Sequence, residues 1–96
     1  MRFKPRIVLH SPVMSPSKLE PFVEQCLRDC VQLIAVVGDG CADLEEEIDW
    51  IVVGDGSNPA RFVTTSSHPN EPLEKVLEFA ALWSCEGEEG VQQVRL

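Results

Sequence analysis

Residues 32–54, QLIAVVGDGCADLEEEIDWIVVG, decide how this chain is read. Gln32 to Val37 is a nearly continuous apolar run of strand length, the pattern of a strand buried on both faces. Gly38-Asp39-Gly40 ends it. Residues 42–53 then fit two descriptions. Leu44, Ile48, Ile51 and Val52 recur at helical spacing, and Gly54 stands where a helix C-cap is wanted. Trp50-Ile51-Val52-Val53 is rich in β-branched side chains and suits a strand. A helix over the whole segment keeps strands and helices in strict alternation, and is the reading adopted.

Working outward, Arg6 to His10 is a short β-branched run, hence a first strand. Ser11 to Pro16 is a loop. Ser17 with Glu20 three residues on has the form of a capping box, Pro21 falls in the first turn, and Phe22 to Val31 supplies an amphipathic helix. On the other side, Arg61 to Ser66 is a third strand and Ser67-His68-Pro69-Asn70 breaks it. Glu71 to Ser84 is a helix with Leu73, Val76, Leu77, Ala80 and Trp83 in one stripe. Gly87 to Gly90 stops it, and the half-polar Val91 to Leu96 suits a sheet edge.

The expected fold is therefore α/β, β-α-β-α-β-α-β in one domain over residues 1–96. Helical crossovers imply a small three-layer α/β/α sandwich around a four-stranded, mainly parallel sheet. The strand order expected is 2-1-3-4, as in flavodoxin-like sheets. Ninety-six residues leave no room for a second independent core.

Sixteen acids against eight bases give a formal net charge of −8. Such a field repels phosphate backbones and anionic lipid, so neither direct nucleic-acid binding nor membrane association is expected. The apolar run that follows the basic start stops at His10, short of a secretory core, which leads to the expectation of a cytoplasmic protein with reduced thiols. Cys26 and Cys30 are four apart in a helical pattern and are expected as inert core thiols; Cys85 is expected exposed at a helix exit. No zinc-type spacing of cysteine and histidine occurs, so no metal and no cofactor is expected.

In open parallel sheets, ligands bind beyond the carboxyl ends of the strands, near the point where strand order reverses. That rule selects three segments, His10-Ser11-Pro12, Gly38-Asp39-Gly40-Cys41 and Ser66-Ser67-His68-Pro69, with His10, Ser11, Asp39, Gly40, Ser67 and His68 as the candidate ligand-binding residues. With order 2-1-3-4 the two histidines would be neighbours. Imidazoles beside a carboxylate are the material of ligand binding or general acid–base chemistry. An anion at Gly38-Asp39-Gly40 is opposed by Asp39 and Asp43. Cys41, at the start of the second helix, has the place of an activated thiol, but the neighbouring acids disfavour a thiolate. No catalytic residue is assigned.

A surface is the other candidate. Asp39, Asp43, Glu45, Glu46, Glu47, Asp49 and Asp55 lie within seventeen residues that contain no lysine or arginine. Glu86, Glu88 and Glu89 form a second group. A concentrated acidic face steers toward a basic partner, and Trp50 would anchor it if exposed there, whereas Trp83 belongs to the core.

The stretch Gly54-Asp55-Gly56-Ser57-Asn58-Pro59-Ala60-Arg61-Phe62, with Thr64-Thr65-Ser66-Ser67-His68-Pro69 and Glu71-Pro72-Leu73-Glu74-Lys75-Val76, resembles a group of small bacterial proteins of unassigned function. The resemblance covers the second half of the chain. It implies a bacterial, cytosolic setting and nothing about activity.

The expected function is thus a non-enzymatic interaction or regulatory module that meets a basic protein partner through Asp43, Glu45, Glu46, Glu47 and Asp49. The alternative is a small ligand-binding or hydrolytic domain built around His10 and His68. A monomer or homodimer is compatible with either.

Overall fold

The computed structural model describes residues 3–58, 60–83 and 90–96. The elements run β1 (Arg6–Ser11), a 3-10 turn (Pro16–Lys18), α1 (Leu19–Arg28), β2 (Leu33–Gly38), α2 (Cys41–Val53), β3 (Thr64–His68), α3 (Leu73–Leu82) and β4 (Gln92–Arg95). The strict alternation expected from the sequence holds, and residues 50–53 are helix. Every strand pair is parallel, in one four-stranded sheet.

The strand order is β3-β2-β1-β4, which corrects the 2-1-3-4 expectation. Right-handed crossovers carry the chain one way from β1 to β3, so α1 and α2 share a face; the return to β4 puts α3 on the other. The cores follow that division. Ile7, Leu9, Ile34 and Val36 pack with Phe22, Val23, Cys26, Ile48 and Val52 of the two helices. Val8, Leu33, Ala35 and Val37 pack on Val76 and Ala80 of α3. β1 and β2 are inner strands, so Ile7 to Leu9 and Leu33 to Val37 are apolar and buried on both faces, whereas the edge strand β4 alternates. With this order the reversal point lies between β1 and β4, not between β1 and β3.

Several boundaries moved for local reasons. Ser17 does not cap α1: it sits inside the 3-10 turn, and the helix has no side-chain cap. Arg61 to Val63 is not strand. The first bond of β3 to its neighbour is donated by the Thr64 amide to the Gln32 carbonyl, and β3 runs on through Ser67 and His68 to stop at Pro69. Arg61 instead becomes a clasp. Its guanidinium pairs with both carboxylate oxygens of Glu24 at 2.9 and 2.7 Å and donates to the carbonyls of Ile51 and Val52, closing the end of α2 against α1. The hydrogen bonds from Arg61 hold the Glu24 carboxyl below the usual carboxylate range.

Cys30 is not a core thiol. The amides of Cys30 and Val31 bond back to the carbonyls of Leu27 and Cys26, the two bonds of a Schellman ending. Cys30 occupies the left-handed position usually given to glycine, with φ 60°, which turns it out to solvent. Cys26 and Cys41 are buried. Burial pushes the Cys26 thiol up to about 12, with Asp29 adding to the shift. In the folded protein at pH 8, an alkylating reagent is expected to modify Cys30 promptly and to leave Cys26 untouched until denaturant is added; peptide mapping after timed labelling checks this. The helix exit at Ser84-Cys85, the Gly87 stop and the acids Glu86, Glu88 and Glu89 lie outside the described residues.

Candidate functional site

The carboxyl ends of β1 and β2 are held together at one glycine. Gly38 pairs with Ser11 at φ +107°, and a side chain there would overlap the Ser11 carbonyl oxygen. The Ser11 hydroxyl donates to the Asp39 carbonyl at 2.5 Å. The turn then enters α2 through Gly40, at φ 72°. Beside it lies a cavity of about 300 Å³ bounded by Gly38, Asp39, Gly40, Asp43, Pro69 and Asn70. Two carboxylates and no basic side chain face this space, which suits a cation far better than an anion.

Of the six residues expected at this edge, Ser11, Asp39 and Gly40 meet in one turn, but the histidines do not join each other. His10, Val37 and His68 lie in one row across three strands, so β2 stands between the two histidines. Two interstrand spacings separate their backbones by about 9–10 Å. The expected contact of His10 with His68 is therefore corrected by the strand order. Strand alternation also parts neighbours in sequence: Ser67 and His68 point to opposite faces, as do His10 and Ser11. His10 Nε2 instead meets Gln93 Oε1 at 2.9 Å, across the β1–β4 reversal.

His68 has two partners, Ser66, from the selected segment, and Glu71, which lies outside it. Nδ1 lies 2.9 Å from Glu71 Oε2, and Nε2 lies 2.9 Å from Ser66 Oγ. Because a carboxylate only accepts, Nδ1–H donates to Glu71, and a ring protonated there alone accepts at Nε2 from the Ser66 hydroxyl. Hydroxyl, imidazole and carboxylate thus follow in the order of a nucleophile relay. The surroundings are not those of one. His68 is 7% exposed, with the Phe79 ring 4.7 Å away, centre to centre. Neither Ser66 nor His68 borders the cavity at this edge. The trio ties the end of β3 to the start of α3. The signal was local: Ser66 and His68 are two apart, hence on one face of a strand, and Glu71 is three further on.

Among the described residues, no group of three or more His, Cys, Asp or Glu side chains is disposed to hold a metal ion, and no helix is long and apolar enough to cross a membrane.

The acidic helix is organised differently. Cys41, Ile48 and Val52 bury one side of α2. Asp43, Glu46, Glu47, Trp50 and Val53 recur at spacings of three and four, which puts them together on the opposite side, and all are exposed. Trp50 is 68% exposed at the middle of that face. Glu45 and Asp49 lie on the flank toward β3, where both meet the Thr65 hydroxyl, at 3.2 and 2.5 Å. Of the five acids expected at a partner surface, three therefore surround Trp50 and two border the sheet edge. Trp83 is partly buried against α3's core stripe, as expected.

A larger groove, about 620 Å³, opens at the amino ends of β2 and β3. Arg28, Arg61, Phe62, Thr64 and Trp83 border it. Phe62 is 72% exposed there.

Searches among curated proteins and among solved structures found no match. A family model does match, over residues 1–95, essentially the whole length that builds the sheet and its three helices. The chain belongs to the family described as a domain of unknown function, DUF7684.

Proposed function

We propose that this chain is a non-enzymatic interaction module that receives a basic protein partner on the outer face of α2. One observation carries the reading: an exposed tryptophan, Trp50, sits among Asp43, Glu46 and Glu47 on a helix whose other side is anchored in the core. A large aromatic left in water has an unfavourable exposure that a partner would relieve, and tryptophan is among the side chains that dominate interface energies. The acids around it add long-range attraction for a basic surface and raise the association rate. From Asp29 to Ala60 the chain contains no lysine or arginine to offset that field. The partner is sought in the cytosol, the compartment that the sequence resemblance implies.

Affinity capture from the native host with three immobilised forms tests it. The partner should be retained by the wild-type chain, lost with the double variant Glu46→Lys/Glu47→Lys, and retained by a control of equal charge change, Glu20→Lys/Glu74→Lys, at exposed positions on other helices. Binding to the purified partner should weaken about thirtyfold with Trp50→Ala, the scale of a strong interface anchor. A partner held equally by all four forms, or one whose contact surface is acidic, overturns the proposal.

A further inference from the structure

The surface on α2 continues onto an open sheet edge, and the two differ in what they can bind. Among the described residues, β3 is the last strand on its side of the sheet. The Thr64 amide points to β2, so in a parallel strand the amides and carbonyls of Thr65 and Ser67 point the other way, out of the sheet. Natural edges are guarded by lysine, other charges, proline or bulges. The run Thr64 to His68, TTSSH, contains no lysine, arginine, acid or proline.

The flanks of this edge are chemically unequal. Above it, on the α2 side, Glu45 and Asp49 reach Thr65, with Glu46 one position on. Below it, on the α3 side, Phe79 covers His68; at the start of the strand Phe62 and Trp83 border the groove, which Arg28 and Arg61 also line. A strand laid along β3 would point alternate side chains to the two flanks. The opposite edge lacks this character: β4 carries Arg95, and the Lys4 amide donates to the Gln92 side chain there.

We propose, resting on the reading of α2 as a docking face, that β3 accepts an extended segment of the basic partner as a fifth strand. In that segment basic side chains alternate with apolar ones, the basic set toward Glu45, Glu46 and Asp49 and the apolar set toward Phe62 and Phe79. Main-chain hydrogen bonds supply affinity in such strand addition, and the alternate side chains supply selection. A second copy of this chain is the wrong occupant on charge: pairing β3 with β3 would bring two acidic α2 helices together, each from a chain of net charge −8.

The probe is a synthetic peptide of about eight alternating lysine and valine residues, a common strand length, titrated by calorimetry. Wild-type protein should bind it, and amide hydrogen exchange should slow at Thr65 and Ser67. Ser67→Pro removes one outward amide while leaving the β2 ladder intact, and should weaken binding at least tenfold. A peptide N-methylated on the amides facing β3 should lose as much against the wild-type protein, which decides the matter if Ser67→Pro fails to fold. A glutamate–valine peptide should not bind.

No binding by wild-type protein, or binding indifferent to Ser67→Pro and to N-methylation, overturns strand addition. The same outcome leaves the α2 reading standing if the partner still depends on Trp50 and Glu46. Partner binding lost with Ser67→Pro but unchanged by Trp50→Ala would instead sink the α2 reading and keep the edge. Concentration-dependent dimers abolished by Ser67→Pro would give the edge to a second copy and overturn the proposal.

Discussion

Gly38→Ala is expected to destabilise the protein by roughly 3–5 kcal/mol, combining a disfavoured backbone region with steric overlap. The residue sits at φ +107°, and its new Cβ would collide with the Ser11 carbonyl oxygen, which is backbone and cannot swing aside. Relief requires parting the carboxyl ends of β1 and β2, the two inner strands of the sheet. Against a total stability on the order of 5–14 kcal/mol for a chain of this length, much of the folded population is at risk. Gly56→Ala is the matched control. Its φ is +79°, but nothing lies within 4 Å of the added carbon. Only the backbone conformation is penalised there, by about 1–2 kcal/mol. Urea unfolding of the two variants checks the difference; equal midpoints would show that the β1–β2 contact at Gly38 is not tight.

Two neighbours on α2 should separate stability from binding. Ile48 is fully buried between the sheet and α1, so Ile48→Ala removes transfer energy and leaves a cavity, a loss of about 2–5 kcal/mol. Its effect on partner affinity, measured where the protein is still folded, should be small. Trp50, two residues on, touches water on most of its surface. Trp50→Ala should change stability by no more than about 0.5 kcal/mol while weakening the partner about thirtyfold. A large stability loss with Trp50→Ala would mean that the indole is held against the fold rather than offered to a partner.

The second helix, read over residues 42–53 and found at 41–53, was readable because its apolar positions recur at helical spacing, Gly54 follows, and a helix there keeps strands and helices alternating. Cys30 was not readable in the same way. Position 30 continues the apolar pattern set by Phe22, Val23 and Cys26, but the backbone had already turned at Asp29 into a Schellman ending. Periodicity describes a helix that continues; it is silent about where hydrogen bonding stops. The third strand was displaced for a related reason. Arg61 to Val63 has the composition of a strand, yet Arg61 has Glu24 and the open carbonyls of α2 within reach, contacts no local pattern encodes.

The candidate site divides along the same line. Sequence alone determined the alternation of strands and helices, the burial of the second strand on both faces, and the placing of acids on α2, because each depends on residues within a few positions of one another. It also named the segments at the carboxyl ends of the strands. Only the tertiary structure decided which of those segments meet. Strand order is set by which crossovers pack best against the two faces, a competition among distant residues, and it placed β2 between His10 and His68. It also placed β3 at the end of the described strand order, beside the acidic helix. Whether a tryptophan is buried or offered to solvent is likewise a long-range outcome: Trp50 is exposed because Ile48 and Val52 already fill the space against the sheet.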